Sequence, residues 1–209
     1  MSEDTPKKSF SMLREFVLAD FLTMGNAACG TAAIFFCLNF LDEKQDFYLW
    51  LALGLLPLAL IFDFLDGFVA RWRRKHSALG ADLDSLADIV SFGVAPAVVA
   101  YTLGMRGGWD VLILIFFVVC GIARLARYNV TATLLADEQG KVKYYEGTPI
   151  PTSLVLVIVM TFAFATGNFG ADLWFGSFKI GPWGFHPLVL LYALSGSAMI
   201  STALRIPKP

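Results

Sequence analysis

Long apolar runs alternate with short polar breaks along this chain. A membrane-spanning helix needs ~20 mostly apolar residues, and six stretches meet that length: about 21–41, 48–72, 81–104, 109–128, 150–167 and 186–205. Ahead of them, residues 9–19 have a different pattern. Phe10, Leu13, Phe16 and Val17 fall on one side at helical spacing, with Arg14 and Glu15 opposite. That pattern suits a short helix lying in the membrane interface. The expected fold is an all-α integral membrane protein of six transmembrane helices with a short N-terminal interfacial helix. Residues 1–20 form a cytoplasmic tail and interfacial helix, and residues 21–209 form one six-helix domain.

Composition supports this class. Hydrophobic residues make up 57% of the chain and charged residues 16%, with a mean hydropathy of +0.66. Soluble domains run at about 45–50% apolar and about 25% charged. The net charge of −1 carries no signature of a nucleic-acid partner, and none is expected. Cys29, Cys37 and Cys120 all lie in apolar runs, which suits small core residues rather than a disulfide framework.

The distribution of charge orients the chain. Lys7, Lys8 and Arg14 precede the first run, Arg71, Arg73, Arg74 and Lys75 follow the second, and Arg124, Arg127, Lys141 and Lys143 follow the fourth. The other three loops carry only Lys44, Arg106 and Lys179. Positive charge concentrates on cytoplasmic loops, so both termini and the loops after the second and fourth spans face the cytoplasm. Trp50, Trp109, Trp174 and Trp183 then mark the outer ends, where amphipathic aromatics anchor.

Four aspartates stand where this topology makes them costly. Asp63-x-x-Asp66-Gly67-x-x-Ala70-Arg71 ends the second run, and Gly80-x-x-x-Asp84-x-x-x-Asp88 opens the third. An aspartate at mid-bilayer costs ~2.5–3.5 kcal/mol on an insertion scale. Asp63 and Asp66 share one helix face by i, i+3 spacing, and Asp84 and Asp88 share another by i, i+4. Two adjacent antiparallel helices would bring all four together near the cytoplasmic side. Hard oxygen ligands at that density suit two Mg²⁺ or Mn²⁺ ions, with Ca²⁺ also compatible. Two such ions form the clamp used in phosphoryl chemistry. Gly67 and Ala70 leave the helix surface bare for a ligand, Gly80 permits a tight entry turn, and Arg71 can fork onto a phosphate. Asp82, outside the frame, is expected to cap the third span.

At all eight fixed positions this segment resembles the signature of the CDP-alcohol phosphatidyltransferase family. The resemblance implies a six-helix membrane fold, usually a homodimer, with a cytoplasm-facing binuclear metal site. It makes Asp63, Asp66 and Asp84 metal ligands, and Asp88 both a metal neighbour and the general base. Gly67 and Arg71 would contact the CDP moiety.

Three further stretches resemble the serine-using branch of that family. They are Asp84-Ser-Leu-Ala-Asp88-Ile-Val-Ser-Phe-Gly-Val-Ala-Pro96, Cys120-Gly-Ile-Ala-Arg124-Leu-Ala-Arg127-Tyr-Asn129, and Tyr145-Glu146-Gly-Thr-Pro149-Ile-Pro151. Arg124 and Arg127 lie on one helix face at the membrane level of the aspartates. A serine acceptor brings a carboxylate, and arginine is best shaped to hold one. Asn129 and Glu146 are further candidates for that pocket. The expected reaction transfers a phosphatidyl group from CDP-diacylglycerol to L-serine, releasing CMP, in a bacterial inner membrane or an endoplasmic reticulum. Another acceptor such as inositol phosphate, an archaeal lipid donor, or a cation transporter are the alternatives.

Overall fold

The computed structural model describes residues 18–73, 78–136, 144–201 and 205–207. The proposed interfacial segment 9–19 lies almost entirely outside them; its last two residues already belong to the first long helix.

Among the described residues seven α-helices carry the fold: α1 (Leu18–Glu43), α2 (Asp46–Arg73), α3 (Ala78–Asp88), α4 (Ala95–Leu103), α5 (Gly108–Ala136), α6 (Leu154–Ala165) and α7 (Leu190–Ile200). A six-residue π-helical segment, Ile89–Val94, joins α3 to α4, so the third apolar run is one helical rod with a seam in it. Among the described residues four stretches are long and apolar enough to cross a membrane: Ala19–Glu43, Asp46–Ala70, Gly80–Leu103 and Gly108–Thr131. The last two expected spans appear as shorter apolar helices, Ile150–Ala165 and Pro187–Ile200. Each opens with a 3₁₀ turn that includes a proline near its start, Pro151 in one and Pro187 in the other. Proline fits a first helical turn but not a helix interior, which is why these helices start inside the apolar runs.

The connections are tight. Lys44 ends α1 in the left-handed conformation, with φ 57°, and its N–H bonds the Phe40 carbonyl at 3.0 Å. Only residues 44 and 45 separate α1 from α2, so the two helices pack antiparallel along their length. α5 packs on α7, and α4 contacts α1 and α6.

Among the described residues four short strands form two antiparallel pairs: β1 (Tyr144–Glu146) with β4 (Arg205–Pro207), and β2 (Phe178–Ile180) with β3 (Trp183–Phe185). The β2–β3 loop is two residues long and starts at Gly181 with φ +63°, the geometry that tight hairpins need.

Small residues line the inner face of α1. Cys29, Ala33 and Cys37 are buried at helical spacing against Leu49, Leu56 and Phe92, and all three cysteines are free and buried. Large apolar side chains such as Phe35, Phe64, Ile115, Ile158 and Phe162 point outward. So much exposed apolar surface would be a liability in water; in hydrocarbon it is matched to its solvent.

At one end of the bundle the aromatics cluster. Trp109 stacks edge-on to Trp183 and donates to the Ile180 carbonyl at 3.0 Å, while Trp50 lies against Phe164 and Trp174 against Phe162. Here Asp110 is fully buried. It accepts from the Gly107 and His186 backbone N–H groups, each at 2.8 Å, and meets His186 Nδ1 at 2.6 Å. This fastens the β2–β3 hairpin onto the start of α5.

Candidate metal and phosphoryl-transfer site

The aspartates gather at the opposite end. α2 brings Asp63 and Asp66, one turn apart, and α3 brings Asp84 and Asp88. One carboxylate oxygen from each of Asp63, Asp66 and Asp84 lies within 4.8 Å of the others. Oxygens bound to one Mg²⁺, Mn²⁺ or Ca²⁺ at about 2.0–2.6 Å are at most about 5 Å apart, so these three can share an ion. Asp84 Oδ1 is buried without a hydrogen-bond partner among the described residues, the state of a ligand atom shaped for something other than protein. A hard divalent cation therefore fits the donor set. Asp88, one turn past Asp84, is buried and lies within electrostatic range of Asp63, Asp84 and Asp66. It stands beside the three-oxygen cluster, where it could contribute to a second ion or act on a substrate.

The first helix supplies partners that the sequence reading passed over. Asp20, Thr23 and Asn26 follow at steps of three along α1, and all are buried. Thr23 Oγ1 donates to Asp66 Oδ2 at 2.6 Å, and Asn26 Nδ2 donates to Asp88 Oδ1 at 3.2 Å. Asp20 acts electrostatically on Asp66. The signal was present as three polar residues at one helical spacing near the start of a mostly apolar helix.

The π segment follows Asp88 directly, and α1 holds it too. Ser91 Oγ donates to the Asn26 carbonyl at 2.9 Å. Gly30 makes this approach possible, because a Cβ there would lie 2.7 Å from Ser91 Cα. π turns occur disproportionately at functional sites.

The other candidates divide. Gly67 and Ala70 are half-buried on the α2 face that carries Asp63 and Asp66. Gly80 sits inside the first turn of α3, not in a loop before it, because the helix already begins at Ala78. Asp82 is likewise inside α3 and exposed, so it does not cap the helix. The Arg71 and Glu146 side chains lie outside the described set. The backbone of Glu146 pairs with Arg205 across β1–β4. Four residues on, Ile150 is buried against the site helix. A Cβ at Gly121 would lie 3.0 Å from its Cδ1 and 3.2 Å from that of Ile89. The stretch 145–151 thus reaches the residue next to Asp88. Asn129 is tied to the site directly: its Nδ2 donates to Ser85 Oγ at 3.0 Å, and Ser85 returns a bond to Asn129 Oδ1 at 3.2 Å. Arg124 and Arg127 are half-buried on α5, on the turns leading to Asn129.

Comparison with known proteins agrees with this geometry. The CDP-alcohol phosphatidyltransferase family matches residues 16–194. The chain is 46% identical over 203 residues to a CDP-diacylglycerol–serine O-phosphatidyltransferase of Saccharomyces cerevisiae, covering 96% of this chain and 74% of that protein. A protein of the same name from Bacillus subtilis is 32% identical over 145 residues, covering 68% and 74%. An archaetidylserine synthase of Methanothermobacter thermautotrophicus is 37% identical over 143 residues, covering 67% and 55%. With most of its length matched and its acidic cluster assembled, this chain belongs to the CDP-alcohol phosphatidyltransferase family.

Proposed function

We propose that this protein is an integral membrane enzyme that transfers the phosphatidyl group of CDP-diacylglycerol to L-serine, giving phosphatidylserine and CMP. The observation that carries the reading is the convergence of Asp63, Asp66 and Asp84 within 4.8 Å, with Asp88 adjacent. The similar proteins named above share serine as acceptor and differ in lipid donor, which supports the choice of alcohol.

Asp63, Asp66 and Asp84, with Asp88, would hold two Mg²⁺ or Mn²⁺ ions, which when bound neutralise the pyrophosphate and polarise it toward attack. Gly67 and Ala70 leave room for the nucleotide beside α2, with Gly80 at the α3 end of the same site, and Arg71 is the residue that would fork onto a phosphate. Asp88 takes the proton of the serine hydroxyl as that oxygen bonds to the phosphorus carrying the diacylglycerol. The bond from that phosphorus to the oxygen of CMP breaks, and CMP leaves with the electron pair. Arg124 and Arg127 hold the serine carboxylate, with Asn129 and Glu146 completing the pocket. Six spans, a homodimer and a cytoplasm-facing site complete this reading, with α6 and α7 as the cores of the last two spans. The lipid donor then enters sideways from the inner leaflet.

An acceptor screen tests this. Purified protein with labelled CDP-diacylglycerol and Mn²⁺ should release CMP with serine and not with inositol phosphate, glycerol phosphate or ethanolamine. Equal use of any of these would sink the serine assignment and leave the family chemistry standing. Replacing the donor with its archaeal ether-lipid counterpart separates the two donor classes.

A further inference from the structure

We propose that Asn26 is a positioning residue for this reaction: its side-chain amide holds Asp88 in the orientation from which that carboxylate receives the acceptor's proton. The proposal rests on Asp88 being the base. An ionised carboxylate can only accept hydrogen bonds, so the amide nitrogen of Asn26 must be the atom that faces it, and Nδ2 meets Asp88 Oδ1 at 3.2 Å. One oxygen of Asp88 is thereby held, and the carboxylate is oriented toward the ions and the acceptor.

Asn26 grips the site helix twice. Its side chain holds Asp88, and its backbone carbonyl accepts from Ser91 Oγ at 2.9 Å, three residues further along the same rod. Between the two contacts the helix changes from α to π. The catalytic carboxylate sits at the edge of this irregular turn, where the regular ladder of the helix no longer fixes it, and α1 supplies the constraint from outside. Asn26 itself is completely buried. Its Oδ1 has no hydrogen-bond partner among the described residues, an arrangement that costs stability. A residue kept only for packing would more cheaply be apolar.

The test uses the full-length enzyme with CDP-diacylglycerol, serine and saturating Mn²⁺. Asn26→Leu keeps the branched shape and removes the donor. Its kcat should fall ~10–100-fold, the usual effect of losing a partner that orients a ligand or catalytic carboxylate, while donor KM at saturating Mn²⁺ stays unchanged. In an Asp88→Asn background, where turnover is already reduced, Asn26→Leu should cause no further loss, since groups acting as a unit are not additive. A wild-type kcat for Asn26→Leu, or an equal loss in both backgrounds, overturns the proposal. So does weakened donor binding with kcat preserved. Full turnover by Asp88→Asn removes the base and with it the role of Asn26, whereas an inactive Asp88→Asn beside a fully active Asn26→Leu removes the positioning role alone. Should Asn26→Leu fail to fold, Ser91→Ala releases the second grip with Asn26 and the aspartates intact. A lowered kcat at constant donor KM supports the proposal, and an unchanged kcat overturns it.

Discussion

Thr23 on α1 donates a 2.6 Å hydrogen bond to Asp66 on α2, linking the first two long helices at a carboxylate of the acidic cluster. Partners of this kind orient a metal ligand, and losing one typically costs ~10–100-fold in metal affinity or activity. Thr23→Val keeps the branched shape and removes the hydroxyl. Its Mn²⁺ affinity, measured by electron paramagnetic resonance titration, should fall by about that factor, with Thr23→Ser restoring most of it. Unchanged affinity would show that the bond holds no metal ligand.

The cluster itself makes a sharper prediction. The protein should be inert after exhaustive chelation and regain turnover with Mn²⁺ or Mg²⁺. Asp63→Ala and Asp84→Ala should each lose both activity and tight divalent binding, because each removes one of the three converging oxygens. Full turnover in chelator would end the metal-site reading.

For the acceptor, Arg124→Lys keeps the charge and loses the bidentate fork. A hydrogen bond to a charged group is worth ~1.5–3 kcal/mol, so the apparent KM for serine should rise about tenfold or more with donor KM nearly constant. Arg127→Lys should be milder, since Arg127 lies one turn further along α5, toward its C-terminal end. If donor binding suffers instead, the two arginines serve the phosphates, and the serine pocket must be sought around Asn129 and Glu146.

At the far end, Asp110→Ala strips the partner from two backbone N–H groups and from His186. Each buried donor left unsatisfied costs ~1–3 kcal/mol, so the thermal midpoint in detergent should drop. Asp110 lies 19 residues from Asn129 on the continuous helix α5, roughly 28 Å at 1.5 Å per residue. Turnover per folded molecule should therefore be retained. A loss of kcat without a loss of stability would mean that the hairpin end communicates with the aspartates.

The sequence exposed the aspartates because charge in an apolar run is costly and cannot be accidental four times over in one spacing. It exposed the long helices because their apolar length was uninterrupted. Thr23 and Asn26 escaped because single neutral polar residues cost little in a helix, and their meaning appears only when α1 is packed against α2 and α3. Gly80 and Asp82 were misplaced by a helix start about three residues earlier than the apolar run suggested; α3 begins on Ala78, ahead of its hydrophobic stretch. The β2–β3 hairpin was missed for a related reason. Its three-residue strands are too short to show alternation, and they depend on docking to α5.

The π segment means that the third long rod follows two separate rhythms. Ala78–Asp88 takes its rotational setting from the aspartates facing α1 and α2, while Ala95–Leu103 takes its own from packing on α1 and α6. In an α-helix each residue turns the chain by about 100°. A chain with one residue fewer between Ile89 and Val94 could keep nearly every hydrophobic side chain and all four aspartates. It would still leave Asp84 and Asp88 aimed about a quarter-turn or more away from Asp63 and Asp66. Spacing across this seam is therefore as much a part of the active site as the acids themselves.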